Sequence, residues 1–224
     1  MKVVQAEMTF TAAAPENVDF TLQRRRLADL AARASIIVLF SLMAVRFAQD
    51  FMLTGHLTGL FLLMSETLVV VLTVVRRSAS TVDRSFRAKS LTMLSTLGPP
   101  LLVPGAAAAL LPEVWTVAIS CAGLCVVIAA KVTLGRSFAL LPANRGIVSG
   151  GLYGIVRHPI YMGYVITHLA FLAASPTLWN LAALLVADGA LLARAVCEER
   201  TLALDEKYRS YQARVRWRVA PGLF

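Results

Sequence analysis

Six runs of apolar residues constrain this chain more than any other feature. Several approach the ~20 residues that a helix needs to cross a bilayer. The runs cover 33–48, 57–75, 91–111, 114–132, 159–174 and 177–196. Only 16% of the residues are charged, whereas soluble domains carry about a quarter. The sequence therefore predicts an all-α integral membrane protein, a polytopic bundle of about six transmembrane helices with no large soluble domain.

The run at 91–111 fits a simple span least well. It is interrupted by Gly98-Pro99-Pro100 and by Pro104-Gly105. Proline removes an amide donor and bends a helix, although neighbouring groups can satisfy the freed backbone inside a membrane. We predict a kinked span. A re-entrant hairpin is the alternative, and it would reduce the number of spans to five.

Lys and Arg residues are concentrated in alternate loops. They precede the first span, fill the second and fourth connections and follow the last span, whereas the connections near 49–56, 112–113 and 175–176 contain none. This asymmetry predicts that the basic side is cytoplasmic, with both termini on that side. It also explains the net charge of +9 without nucleic acid, because such residues orient the chain and attract anionic membrane lipids.

The chain divides into three regions by composition. They are an N-terminal lead (1–32), the N-terminal spans (33–132) and a C-terminal region (133–224). We expect the lead to be partly disordered or to lie on the membrane surface. The last two spans are joined by a short turn at Ser175-Pro176, so their helices should be antiparallel neighbours. The polar segments that flank this hairpin should therefore emerge at the same end.

Polar residues gather where the fifth span begins. Arg157 and His158 precede Pro159, which fits the first position of a helix because its missing amide hydrogen is no loss there. The unpaired amides of a helix N-terminus favour an anion, and Arg157 adds a permanent cation with forked donors. Tyr161 and Tyr164 follow at i,i+3 spacing, on one helix face. The pattern indicates a carboxylate or phosphate site, although membrane anchoring alone also places Arg and Tyr at such boundaries.

Two acids follow the sixth span, at an edge that is otherwise basic. Glu198 and Glu199 stand immediately after the apolar run. One interpretation is a helix-surface ion pair, such as Arg194 with Glu198 at i,i+4, which is worth only a few tenths of a kcal/mol. The other is that these acids meet the basic cluster before the fifth span.

Several motifs occur in the C-terminal region in a fixed order. They are Leu134-Gly135-Arg136-Ser137-Phe138, Gly151-x-Tyr153, Arg157-His158-Pro159-x-Tyr161, Glu198-Glu199-x-x-Leu202, Tyr208-x-x-Tyr211 and Arg218-x-x-Pro221. Together they resemble the isoprenylcysteine carboxyl methyltransferase family and its bacterial relatives, within a wider group that includes phospholipid methyltransferases. The resemblance covers about 131–224, and the Arg-His-Pro-x-Tyr element followed by Glu-Glu is its most specific part.

The resemblance implies an S-adenosylmethionine-dependent methyltransferase of the bacterial inner membrane, with its cofactor pocket at the cytoplasmic end of the last helices. The acceptor would be a lipid or another lipophilic small molecule bearing a carboxylate, thiol or amine. The residues that match cofactor-binding positions are Tyr153, Arg157, His158, Tyr161 and Glu198. Glu199 and Arg218 match positions near the reacting end and are the candidate catalytic residues.

The chain departs from the family pattern at three positions. Leu152 and Trp217 stand where proline is common, and Asp205 stands where glycine is usual. The change at Leu152 loosens a turn without removing a functional group. The change at Trp217 alters the wall beside Arg218, so it puts the acceptor in doubt more than the cofactor.

The implied chemistry agrees with these residue types. Arg157, His158 and the helix N-terminus suit the carboxylate of the cofactor's methionine end, and Glu198 suits its ammonium. Arg218 could orient a carboxylate acceptor, whereas an amine or thiol acceptor could lose its proton to Glu199. Methyl transfer from a sulfonium is an in-line displacement that needs no metal, and the three cysteines show no metal-ligand spacing.

Two other functional classes stay open at this point. Membrane sterol reductases share a similar C-terminal architecture and use NADPH, and a non-catalytic scaffold or small transporter is also possible. Ionisable residues inside apolar runs are functional candidates, and three of them lie in the second, fifth and sixth runs. They are Glu66, His168 and Asp188. Glu66 is expected between helices or along a substrate passage, and His168 with Asp188 could form a buried pair.

Overall fold

A computed structural model describes residues 15–55, 57–104 and 107–224. Over these residues the chain forms seven α-helices. They are α1 (Pro15–Thr54), α2 (Leu57–Val75), α3 (Phe86–Leu97), α4 (Glu113–Leu134), α5 (Pro159–Ala174), α6 (Leu178–Leu202) and α7 (Glu206–Arg214). Two short antiparallel strands, β1 (Thr81–Val82) and β2 (Ala143–Asn144), join the loop after α2 to the loop after α4. The all-α prediction is confirmed.

Within the part of the chain that the structure describes, three helical stretches are long and apolar enough to cross a membrane. They are Leu30–Leu53, Glu113–Ser137 and Leu178–Leu202. Leu60–Val75 and Pro159–Ala174 are shorter apolar helices. Helices are expected here because hydrocarbon offers no hydrogen bonds to the backbone, which must satisfy itself. The first 14 residues of the predicted lead lie outside the described residues, and from Pro15 onward the lead is helical and continuous with the first span.

The third predicted span is broken rather than kinked. Helix α3 ends at Leu97, and Pro99–Leu101 forms a single 3-10 turn. Before α3, the amide of Asp83 donates to Pro142 O at 2.9 Å. After the break, the amide of Val103 donates to Asn180 Oδ1 at 2.9 Å, beside the start of α6. The segment therefore crosses the bundle from one end of α6 to the other as a short helix followed by non-helical chain, so neither the kinked helix nor the hairpin is correct.

The helix breaks because of its local sequence, and a residue of another helix then satisfies part of the freed backbone. Pro99 and Pro100 remove two consecutive amide donors, so the helix cannot continue through them. Asn180 restores part of the lost bonding, because its Nδ2 donates to Val103 O at 2.9 Å while its Oδ1 accepts from the amide of Val103. Asn180 is completely buried. A side chain at the start of α6 thus satisfies the amide and the carbonyl of Val103 after the break.

Helices α4 and α5 make the closest helix–helix contact on which the site depends. A Cβ atom added at Gly163 would lie 2.6 Å from Gly123 O, and one added at Gly123 would lie 2.8 Å from Gly163 O. The two backbones touch, which only small residues allow in a membrane bundle. This contact holds the first turns of α5 against the second half of α4.

A set of polar side chains lies inside the bundle, and we call it the interior polar set. Buried Lys131 on α4 donates from Nζ to Ser65 O at 3.1 Å and to Ser65 Oγ at 2.7 Å, and Ser65 Oγ donates to Glu66 Oε1 at 3.3 Å. His168 Nδ1 lies 2.6 Å from Asp188 Oδ1, so these two residues pair between α5 and α6, with His168 buried and Asp188 half-buried. The interior polar set consists of Ser65, Glu66, Lys131, His168 and Asp188.

The C-terminal segment folds back onto the start of α5. Asp205 caps α7 by accepting from the amide of Lys207 at 2.9 Å, and it also accepts from Asn144 Nδ2 at 2.9 Å. Beyond α7 the chain is extended, and the amides of Arg157 and His158 donate to the carbonyls of residues 217 and 218 at 2.9 and 2.7 Å. The turn Gly151–Gly154, the start of α5, the end of α6, α7 and this tail form what we call the site end.

Candidate functional site

All of the predicted site residues that the sequence placed in separate segments lie at the site end. They are Tyr153, Arg157, His158, Tyr161, Glu198, Glu199 and Arg218. The first four belong to the 3-10 turn Gly151–Gly154 and the start of α5, the two acids lie near the end of α6, and Arg218 lies in the tail. Short polar contacts link six of the seven, as described below. The structure therefore brings together residues more than 60 positions apart.

Glu199 is the centre of this cluster. Its Oε1 lies 2.7 Å from Arg157 Nε and 3.3 Å from His158 Nε2, and its Oε2 lies 2.9 Å from Arg218 Nε. Gln212 Nε2 also donates to Oε2 at 3.3 Å. Glu199 is buried, with only 4% of its surface exposed. Because four donors surround it, this carboxylate holds cations in place and is poorly available as a proton acceptor.

Arg157 is almost fully engaged within the protein. Besides Glu199, it donates from Nη1 to the carbonyls of Val215 and Arg216 at 2.8 and 3.0 Å. These bonds tie the tail to the start of α5. We predicted that Arg157 and His158 bind the carboxylate of a ligand. In this structure they contact the carboxylate of Glu199 instead. Spacing along the sequence predicted that these cations would lie near the two acids but could not tell which acid neutralises them.

Glu198 has a different environment from its neighbour. Its Oε2 accepts a hydrogen bond from the hydroxyl of Tyr161 at 2.8 Å. The Tyr161 ring stacks on His158, with ring centroids 5.1 Å apart and an interplanar angle of 13°. Across 57–104 and 107–224, no cation lies within ion-pair distance of Glu198, and the i,i+4 pair with Arg194 is not formed. Glu198 is therefore the acid of the site with capacity for a further donor.

Tyr153 is buried near Glu198 and is supported by α7. The hydroxyl of Tyr211 donates to the carbonyl of Tyr153 at 2.7 Å. Burial raises the pKa of Tyr153, with a smaller contribution from the nearby Glu198 carboxylate. Burial likewise raises the pKa of Tyr211 to about 12. Both phenols are therefore neutral at physiological pH and act as hydrogen-bonding and packing groups.

Sequence reasoning missed three supporting residues. Tyr211 was visible in the Tyr208-x-x-Tyr211 motif, but its partner was not. Gln212 and Asn144 carried no signal, because their roles depend on contacts with Glu199 and Asp205 that only the folded chain creates. Tyr211 and Asn144 tie α7 and its cap to the chain between α4 and α5, and Gln212 adds a donor to Glu199.

The three departures from the family pattern are accommodated without disturbing the cluster. Leu152 contributes its carbonyl, which accepts from the amides of Ile155 and Val156, and Trp217 contributes its carbonyl to Arg157. Asp205 supplies the cap of α7, as described above. The Trp217 ring lies under the guanidinium of Arg216 at 5.0 Å. Two of the departures thus act through backbone atoms that proline also possesses.

Comparison with known proteins agrees with the motifs. Residues 114–204 match the model of the isoprenylcysteine carboxyl methyltransferase (ICMT) family. The match spans α4 to α6 and includes both acids and the Arg-His-Pro-x-Tyr element, whereas α7 and Arg218 lie beyond it. No curated protein matches the chain closely. The apolar helices make this a membrane protein, and residues 114–204 are similar to the isoprenylcysteine carboxyl methyltransferase family, a family of membrane methyltransferases.

Proposed function

We propose that this protein is an S-adenosylmethionine-dependent methyltransferase that acts on a lipophilic, membrane-partitioned acceptor. The observation that carries the proposal is the meeting of the 153–161 and 198–218 segments around Glu198 and Glu199, at one end of an apolar bundle. The family match supports the same chemistry. A lipophilic acceptor would reach the site from the membrane, and the soluble cofactor would reach it from water.

The residues fit one charged group of the cofactor well. Glu198 accepts a hydrogen bond from Tyr161 alone among the described side chains, and a carboxylate has about four lone-pair positions. It can therefore accept from the ammonium of a methionine end, while Tyr161 fixes its orientation. When bound, S-adenosylmethionine supplies an electrophilic methyl group. The protein's part is to position the acceptor and exclude water.

Glu199 acts as a positioning residue in this proposal. It joins Arg157 and His158 on α5 to Arg218 in the tail, so it keeps the tail closed over the start of α5. An amine or thiol acceptor would need a proton acceptor, and Glu199 is already engaged by four donors. We therefore favour a carboxylate acceptor, which needs no deprotonation at neutral pH. Arg218 is suited to orient this acceptor carboxylate, because a third of the Arg218 side chain is exposed and can be reached by a ligand.

We place the site end in the cytoplasm of a bacterial cell, with both termini on that side. The loop after α2 and the loop after α4 meet at this end, since the amide of Arg77 donates to Arg136 O at 2.9 Å. These are the Lys- and Arg-rich loops, and the positive-inside rule assigns such loops to the cytoplasm. A cytoplasmic site would also have direct access to the soluble cofactor.

Calorimetric titration of the full chain in lipid nanodiscs tests the proposal. We expect saturable binding of S-adenosylmethionine, weakened about 10- to 100-fold by Glu198→Gln, because a hydrogen bond to a charged group is lost. Glu206→Gln changes an exposed acid at the start of α7 and should leave binding unchanged. Binding of NADPH in place of S-adenosylmethionine would indicate a reductase. Binding of neither would indicate a non-catalytic membrane protein.

A further inference from the structure

Among the described residues, Arg194 is a buried cation without an acidic partner. Only 6% of its surface is exposed, and its Nε has no hydrogen-bond partner within the described part of the chain. It donates from Nη2 to the carbonyl of Leu140. The ion pairs of the site end all converge on Glu199 and none includes Arg194. Arg194 therefore differs from Arg157, whose charge is neutralised inside the protein.

The position of Arg194 connects it to the candidate site. Its guanidinium carbon lies 5.5 Å from the centroid of the Tyr161 ring, and the hydroxyl of the same ring is bonded to Glu198. Leu140 belongs to the loop after α4, so Arg194 lies where α5, α6 and this loop meet. A long side chain near a helix end can extend to the interface and keep its charge in water. Arg194 instead keeps its charged end inside the protein.

An unpaired guanidinium is costly to bury. Buried charges are normally paired, and ionisable groups in a membrane bundle usually mark a binding site. An arginine fork matches the two oxygens of a carboxylate and binds them through parallel hydrogen bonds. The missing partner is therefore best supplied by a carboxylate that arrives with a ligand.

We propose that Arg194 is an anion-binding residue of the site and that it binds a carboxylate. The inference rests on the proposed function, in which two carboxylates are possible sources, that of the cofactor's methionine end and that of the acceptor. In the first case Glu198 and Arg194, joined through Tyr161, bind the ammonium and the carboxylate of one amino-acid group. This assigns to Arg194 a role that the sequence pattern had assigned to Arg157 and His158.

Titration of the Arg194→Met variant in nanodiscs, with empty nanodiscs as the blank, separates the two sources. The probes are S-adenosylmethionine, decarboxylated S-adenosylmethionine, farnesoate and methyl farnesoate. If the cofactor is the source, affinity for S-adenosylmethionine falls about 10- to 100-fold, while affinity for its decarboxylated form is unchanged. If the acceptor is the source, farnesoate binding falls by a similar factor and the binding of methyl farnesoate and of the cofactor does not change.

The controls keep the test decisive. Arg200→Met removes an exposed arginine from the last turns of α6 and should change none of the four affinities. Arg194→Lys keeps the charge but loses the fork, and we expect a smaller loss that is confined to the carboxylate-bearing probes. It replaces Arg194→Met if that variant does not fold. Unchanged binding of all four probes by the folded Arg194 variant overturns the inference. Failure of the wild-type protein to bind S-adenosylmethionine overturns the proposed function instead, and the farnesoate arm still tests Arg194.

Discussion

The site end and the interior polar set bury charged groups in two different ways. At the site end a single carboxylate, Glu199, accepts from four side chains that come from three chain segments. Inside the bundle, the contacts run in pairs between helices, as in Lys131 with Ser65 and His168 with Asp188. Removing one member should therefore strand several charges at the site end but only one partner in the interior.

The largest effect should follow from Glu199→Gln. The amide cannot compensate Arg157, His158 and Arg218, so three donors lose a buried anion. Breaking a buried ion pair in this way costs about 3–5 kcal/mol. The free energy of unfolding in mixed micelles measures the loss, with Glu206→Gln as the exposed control. A cost below about 1 kcal/mol would show that the cluster does not hold the tail in place.

A smaller effect should follow from Lys131→Met. This change removes the two hydrogen bonds to Ser65 but leaves a side chain of similar length in the interior. Hydrogen bonds between helices in a membrane contribute about 1–2 kcal/mol at most, and we expect a loss of that size by the same unfolding measurement. A loss as large as that of Glu199→Gln would mean that the two regions are equally interdependent.

Asp188→Asn should cost less again, about 1 kcal/mol. The amide keeps the shape of Asp188 and can still contact His168, so only the charge and part of the bond strength are lost. Glu113→Gln, at the exposed start of α4, is the matched control for removing an acid. Unfolding of the two variants side by side gives the difference, and equal stability would contradict a stabilising His168–Asp188 pair.

The smallest effect concerns pH. The amide of Asn144 lowers the pKa of Asp205, with a further contribution from the backbone amide of Lys207. A lowered pKa in the folded state means that this stabilisation is present above the unfolded pKa and is lost as the pH falls through the folded pKa. Asn144→Ala should raise the pKa of Asp205 towards its ordinary value, as measured by an NMR titration of labelled aspartate. No change would mean that β2 does not tether α7 through this contact.

Much of the fold was predictable because its causes are local. Apolar length indicates a membrane helix wherever it occurs, and five of the six predicted segments are apolar helices. The sixth shows the limit. Pro99 and Pro100 signalled an interruption, but whether the chain kinks, turns back or continues as non-helical chain depended on Asn180, 77 residues away from its partner Val103.

The composition of the site was also predictable, whereas its internal pairing was not. Motif order and the antiparallel hairpin were enough to bring Arg157, His158 and the two acids to one end. Which acid neutralises which cation depends on differences of a few ångströms between side-chain positions, and spacing along the chain does not predict such differences. Glu199 therefore turned out to be enclosed by cations, while Glu198 and Arg194 kept free capacity.

The sequence by itself determined that this protein is a membrane bundle with a basic side and an acidic pair beside an Arg-His-Pro turn, because hydrophobic length, charge bias and proline chemistry act over a few neighbouring residues. Only the tertiary structure decided the network around Glu199, the repair of the broken third span and the isolation of Arg194. These depend on side chains from distant segments meeting in a low-dielectric interior, where each charge must find its partner by geometry rather than by order along the chain.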